Sequence, residues 1–278
     1  MEKKDILDFL MYFTGLHILR TKYLKIRGLA LTRFLVFHNI PLKHSVQFEN
    51  NIRLLKKYTN VINLDDFMNG NLSTDNINTV ITFDDGYKSW KTIALPVLKK
   101  YGLAATFFIS SGFIVFDNNK NIQVSEKAPM KNSKLLTKGE PLTVNDIIEI
   151  NKGGNIIGSH TVNHVILKQD NSISKLEKEV LEDKKRLEEI TGEQVKYFAY
   201  PFGGIDNRHR NLAMALKNFG FEAAVTLDPG FNTKSTNRYF LYRDIVRGST
   251  NSFVFLSRSL GNQDFNISNQ IQMLLKDF

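Results

Sequence analysis

The sequence predicts an α/β protein built on a parallel sheet, and two observations carry that prediction. Short apolar runs suited to strands alternate with helix-patterned segments along the chain. That order is expected of βα units whose sheet is either open or closed into a barrel. In addition, the run at residues 104–109 is apolar enough for a parallel strand covered on both faces. The 278 residues show no internal repeat and no interdomain linker, and suit one large domain or two small ones.

Taken in order, Leu35-Val36-Phe37 reads as a short first strand and residues 48–58 as a helix. Residues 77–83 form a strand and 87–101 a helix. Gly102 is placed to close that helix in the left-handed conformation, and Pro96 predicts a kink or break within it. The strand at 104–109 precedes a polar, Lys/Asn-rich segment at 114–142, long enough to serve as a lid or substrate loop. A short helix follows over 144–150, stopped by Gly153-Gly154, and then a strand at Ile156-Ile157. Residues 173–190 are amphipathic: Ile173, Leu176, Val180, Leu187 and Ile190 fall near one face. Ser174 and Glu177 have capping-box spacing, and Gly192 ends the helix. Strands at 195–199, 222–227 and 240–246 and a helix at 211–218 follow. Ile267, Ile271, Leu274, Leu275 and Phe278 mark a closing amphipathic helix.

Composition narrows the chemistry. With no cysteine, disulfides and thiolate metal sites are excluded, and any metal must be held by His, Asp or Glu. The net charge of +9 favours anionic partners, although a solvated lysine-rich surface is the plainer account of it. No Arg-rich block or nucleic-acid motif is present, so nucleic acid is not an expected partner. Residues 9–19 are mostly apolar and are followed by Arg20, Lys22, Lys25 and Arg27. Eleven residues are too few to span a bilayer, which takes about 20. The pattern suits an interfacial helix on an anionic membrane or lipid-phosphate carrier, or a helix packed on the protein's own core. Asp5 and Asp8 interrupt the basic start and no small-x-small cleavage site follows, which predicts an uncleaved chain in the bacterial cytoplasm, peripheral to the inner membrane face.

Three strand ends carry unusual residues. The first is Thr82-Phe83-Asp84-Asp85-Gly86. Buried unpaired carboxylates are costly, so the strand is expected to end at Asp84, with Gly86 bending the backbone and both carboxylates at the carboxyl edge, where α/β sheets build sites. A turn or helix N-cap is the plainer alternative. The second is His160-Thr161-Val162-Asn163-His164, whose imidazoles would share one face of a helical turn. The third is Tyr197-Phe198-Ala199-Tyr200-Pro201-Phe202-Gly203-Gly204, where a proline stops the ladder and glycines allow close backbone approach. Two His and one Asp make a three-ligand site with open positions, leaving the second Asp as a base.

These segments, in this order, resemble the polysaccharide deacetylases, the fourth carbohydrate esterase family with its NodB-homology domain. Leu95-Pro96-Val97-Leu98-Lys99-Lys100-Tyr101-Gly102 and Ala105-Thr106-Phe107-Phe108 extend the likeness, which covers about residues 30–250. The resemblance implies a distorted (β/α)7-type barrel, a divalent metal (most often Zn2+, with Co2+, Ni2+, Mn2+ or Fe2+ as substitutes), and hydrolysis of an acetyl group from an amino sugar. It further implies Asp84 as general base, Asp85, His160 and His164 as metal ligands, and the backbone N–H of Phe202, where the family usually has Tyr, as an oxyanion donor.

The chain departs from the family in three places. The Leu-x-His motif that supplies the general acid is missing, since no histidine follows His209. Of the remaining histidines His38 is the candidate, because Val36-Phe37-His38-Asn39 resembles the early Tyr-His segment of the permuted poly-N-acetylglucosamine deacetylase branch. His209, between two arginines, reads as a surface residue. The arginine that orients the base must be replaced by Lys196 or Arg243, with Arg243 preferred at the end of a strand. The fourth-motif tryptophan is absent, since Trp90 lies in the helix after Gly86, so Tyr200, Tyr242 or Leu227 must line the acetyl pocket.

The expected protein is therefore a metal-dependent carbohydrate N-deacetylase of a polysaccharide or lipid-linked glycan precursor. A sugar O-acetyl esterase and a non-catalytic carbohydrate-binding protein are the alternatives. Three regions are expected: a membrane-associating helix over 1–30, the catalytic domain over 31–250, and a helical tail over 251–278 packed on the barrel.

Overall fold

The computed structural model describes residues 28–115, 139–168, 171–203 and 210–261. The N-terminal helix, most of the polar segment at 114–142, His17, His209 and the closing helix at 267–278 lie outside them, as do all but three residues of the expected N-terminal region. No helix among the described residues is long and apolar enough to cross a membrane.

Strands β1 (Thr32–Phe37), β2 (Asn60–Ile62) and β3 (Asn78–Asp85) are joined through helices α1 (Ser45–Tyr58) and α2 (Leu64–Asn69). The expected helix after Gly86 is a π-helical turn, Trp90–Ala94, running into α3 (Leu95–Tyr101). Pro96 is the second residue of α3, directly after the π-turn, so the interruption predicted there is a change of helix type rather than a stop, and Gly102 closes the helix at φ 62°. Next come β4 (Thr106–Ile109), α4 (Val144–Lys152) and β5 (Ile156–Ser159). The long amphipathic helix is assembled from α5 (Ile173–Leu176), a π-turn (Glu177–Leu181) and α6 (Glu182–Thr191). Its N-cap is Ser172, whose hydroxyl accepts from Lys175 N–H, and not the expected Ser174–Glu177 box, which falls inside the helix. Strand β6 (Tyr197–Ala199), helix α7 (Arg210–Asn218), strands β7 (Ala223–Val225), β8 (Phe231–Asn232) and β9 (Asp244–Ile245), and helix α8 (Ser252–Ser259) follow among the described residues. Strands β2 and β8 and helix α2 were not anticipated, being too short for a periodic pattern to register; α8 falls at the start of the segment expected as a helical tail.

The strands β1, β3, β4, β5, β6 and β7 pair in parallel in spatial order β7-β6-β5-β4-β3-β1. The segment predicted as one strand at 240–246 closes this curl in two halves. Leu241 pairs with Val225 of β7, and β9 pairs in parallel with β1 through Leu35 and Val36. The result is the expected distorted seven-stave barrel.

Period two sorts the side chains into two cores. Phe34, Val80, Phe108, Tyr197, Ala199, Ala223, Val225 and Leu241 fill the interior, joined by Leu64 and Phe67 of α2. Leu35, Phe37, Ile81, Phe83, Phe107 and Ile157 point outward under the helices. Gly158 is dictated by this packing: a Cβ there would lie 2.4 Å from the Phe108 ring.

Candidate active site

The inward register of β3 (Val80, Thr82, Asp84) delivers Asp84 to the carboxyl mouth of the barrel, where it is buried. The strand does not end at Asp84 as expected but runs through Asp85. At Asp85 φ is 96° and at Gly86 123°. The left-handed backbone breaks the pleat, so both adjacent carboxylates lie close to His160.

Asp84 is gripped by Arg243, which lies in the irregular stave between Leu241 and β9. Its guanidinium donates to both carboxylate oxygens (2.7 and 2.6 Å), to Thr82 Oγ1 (3.2 Å) and, through Nε, to the Thr226 carbonyl (2.8 Å). The Phe108 ring lies 5.4 Å beneath it. Burial pushes the Asp84 carboxyl up, but Arg243, with His160 and His38, outweighs it and holds the group below the ordinary carboxylate value. Asp84 is therefore ionised at neutral pH. Lys196, the other candidate for this role, pairs instead with Asp65.

Asp85, His160 and His164 converge: their ligand atoms lie within 4.8 Å of one another. Asp85 Oδ1 sits 3.6 Å from His160 Nε2 and 3.2 Å from His164 Nε2, is buried, and has no hydrogen-bond partner of acceptable geometry. Burial pushes this carboxyl up, and the two imidazoles bring it well below the ordinary range. Tyr87 lies beside it, its hydroxyl raised by burial and by the Asp85 charge. His160 approaches the Ala199 carbonyl through Nδ1 (2.8 Å), which fixes the proton there and leaves Nε2 as a lone-pair donor. Burial lowers the His160 pKa, but the Asp84 and Asp85 charges raise it on balance. An orphaned carboxylate oxygen facing two imidazole nitrogens is a donor set that fits a divalent cation.

The two histidines do not share a helical turn. Residues 161–164 form a bend in which Thr161 and His164 have φ of 64° and 51°, and it is this loop that brings the rings to 4.9 Å. Across from them, Phe202 stands at φ 60° in the Pro201–Gly203 turn. Its ring is 59% exposed and packs edge-on against His164 at 4.5 Å.

His38 follows β1 directly, and β1 is in register with β3 at Phe37–Phe83, so His38 and Asp84 leave neighbouring strand ends. When protonated it is among the cations that lower both Asp84 and Asp85. Trp90, buried in the π-turn, donates from Nε1 to the His38 carbonyl (3.1 Å), and Ile40 N–H donates to Ser89 Oγ (3.0 Å). The only tryptophan thus holds the backbone of the candidate acid, a role no sequence pattern marked. Of the three acetyl-pocket candidates, Tyr200 faces the outer core, stacked on Phe240 with its hydroxyl on the Tyr239 carbonyl. Leu227 packs against Gly203 beside Phe202, and Tyr242 is half-buried next to Arg243.

The sequence matches the polysaccharide deacetylase family over residues 72–223, more than half of the chain. It is 28% identical over 166 residues to YxkH of Bacillus subtilis strain 168, a protein named for the same family; the match takes in 59% of this chain and 50% of YxkH. The chain thus spans about half the length of the curated relative it matches. Among solved structures, the deacetylase PplD of Streptococcus pyogenes, in complex with acetate, superposes with a TM-score of 0.65 at 18% identity (83% of this chain, 99% of that one). IcaB from Ammonifex degensii gives 0.64 at 21% (83% and 97%). BC0361, a polysaccharide deacetylase from Bacillus cereus, gives 0.63 at 23% (82% and 69%). At these identities the structural likeness speaks to the fold.

Proposed function

The chain belongs to the polysaccharide deacetylase family, and from that premise we propose that it is a metal-dependent hydrolase removing the N-acetyl group of an amino sugar of the GlcNAc or GalNAc type within a glycan. One observation supports this reading above the rest. At a single strand end, a carboxylate kept ionised by Arg243 stands beside three converging donors, Asp85, His160 and His164. A base adjacent to a cation site is the minimum for metal-assisted hydrolysis.

Asp85, His160 and His164 would hold the ion, and zinc suits two imidazoles and a carboxylate. When bound, the ion supplies Lewis acidity toward the acetyl carbonyl and acidifies water. Asp84 accepts the proton of the attacking water on lone pairs that Arg243 does not use. As the carbonyl carbon becomes tetrahedral, Phe202 N–H donates to its oxygen, a contact worth about 3–4 kcal/mol in comparable sites. The C–N bond then breaks. His38 protonates the departing amine, and acetate and the free amino sugar leave.

The test uses the zinc-loaded full chain and acetate release from N-acetylated oligosaccharides, free and lipid-linked. Asp84→Asn is expected to keep its metal and lose turnover, whereas Asp85→Asn is expected to lose the metal. Wild type that binds zinc and sugar yet releases no acetate from any of them would rule out the hydrolase reading and leave a binding protein.

A further inference from the structure

The loop that carries both histidines is strained, and two buried acids from one helix hold it. Thr161 and His164 are in the left-handed region, which a β-branched threonine adopts only when its surroundings impose it. The helix packed behind the loop supplies that constraint. Asp183, on α6, is fully buried. Its Oδ1 accepts from Ser111 N–H (2.8 Å), and its Oδ2 from Ser159 Oγ (2.6 Å) and His160 N–H (3.0 Å). Glu179, one turn earlier in the π-turn, is also buried. Its Oε2 accepts from Asn163 N–H (3.0 Å), its Oε1 from Asn163 Nδ2 (2.9 Å), and its backbone carbonyl from Val162 N–H (2.9 Å). Ser110 Oγ holds the His160 carbonyl (2.9 Å), and Gly112 N–H holds that of Val162 (2.8 Å).

We propose that Glu179 and Asp183 form a carboxylate clamp that sets the spacing of His160 and His164 for the metal, acting as positioning residues through the backbone. The reading rests on the metal site proposed above. Burying two carboxylates is unfavourable unless each is fully hydrogen-bonded, and here their partners are N–H and O–H donors of the two loops that frame the site. A core that only needed filling would be served by leucine. The clamp also fixes which way each imidazole leaves the backbone, because it ties the N–H groups of His160, itself a ligand candidate, and of Asn163, the neighbour of His164.

The experiment measures zinc affinity by competition with a chromophoric chelator on wild type, Asp183→Asn and Glu179→Leu, at a temperature where circular dichroism and melting show each chain folded. In Asp183→Asn the amide keeps the volume of the acid but accepts on one side only, so a backbone N–H, of Ser111 or of His160, is left facing a donor. Glu179→Leu removes the acceptor of Asn163 N–H outright, which an amide there would not do because the Asn163 side chain could turn to meet it. Zinc affinity is expected to fall about 10–100-fold, the usual effect of losing a group that orients a ligand, and amide hydrogen exchange over residues 160–164 is expected to speed up. Variants that fold and bind zinc within twofold of wild type would overturn the clamp while leaving the metal site standing. Wild type that binds no zinc would overturn both. If neither variant folds, the carboxylates serve the fold as a whole and the clamp is likewise overturned.

Discussion

At the scale of single residues, the Asp84–Arg243 pair decides most. Two charges fully removed from water are costly to bury and are repaid only by close geometry, which the fork of two bonds at 2.6 and 2.7 Å provides. Arg243→Met would strand an unpaired carboxylate, with an expected loss of about 3–5 kcal/mol in denaturant unfolding. Combining it with Asp84→Asn should recover part of that loss, since no bare charge then remains. Arg243→Lys keeps the charge but not the fork, so it should fold better than Arg243→Met yet lose turnover. His38 is tested differently. An amine needs a proton to leave and an alkoxide needs it less, so His38→Ala should slow N-acetyl hydrolysis by about 10²–10⁴ and O-acetyl hydrolysis of the matched ester much less. Equal slowing of both would remove His38 from the role of acid.

At the scale of elements, strand ends were legible and their connections were not. The apolar runs placed β1, β3, β4 and β6 to within a few residues, Gly102 is the left-handed cap expected of it, and Gly192 ends its helix as expected, also in the left-handed conformation. The adjacent aspartates and the paired histidines could be singled out because acids and imidazoles in apolar surroundings demand a reason. The loop conformation that joins the histidines, and the extension of β3 through Asp85, depend on positive φ at Thr161, His164 and Asp85. Asp and His adopt that conformation more often than most residues, but too rarely to signal it in advance, and threonine hardly ever does. Glu179 and Asp183 were missed, although a signal existed. They fall on the same helix face as Leu176, Val180, Leu187 and Ile190, and acids within an apolar stripe are unusual. Gly158 shows packing overriding propensity, since glycine is poor in strands. Gly158→Ala drives a methyl into the Phe108 ring at 2.4 Å, and that ring supports Arg243. The expected loss is about 1–3 kcal/mol of stability, read from the urea midpoint, with partial recovery when Phe108→Leu makes room.

At the scale of the whole molecule, polar ties add to the apolar cores in holding the staves together. Arg33, buried at the start of β1, pairs with Asp244 of β9 at 2.6 Å and stacks on Phe231 at 4.1 Å, so the last stave is pinned to the first. Past the carboxyl end of the neighbouring strand β3, Lys88 pairs with Asp146 of α4 at 2.5 Å, while Asp146 and Thr143 form the capping box of that helix. Burial pushes the Asp146 carboxyl up, but the Lys88 ammonium and the Thr143 donors leave it below its ordinary value near 3.8. The unfolded chain therefore binds this proton more readily than the folded one. The stability contributed by Asp146 is complete above about pH 4 and is lost as pH falls through the lowered folded value. The net charge of +9 grows over the same interval and adds self-repulsion to the loss. Melting followed from pH 6 downward should show Asp146→Asn less stable than wild type at neutral pH, with the two curves converging below about pH 4. Parallel curves across that range would mean that the tie between the rim of the site and α4 carries none of the acid sensitivity, which would then belong to repulsion over the surface.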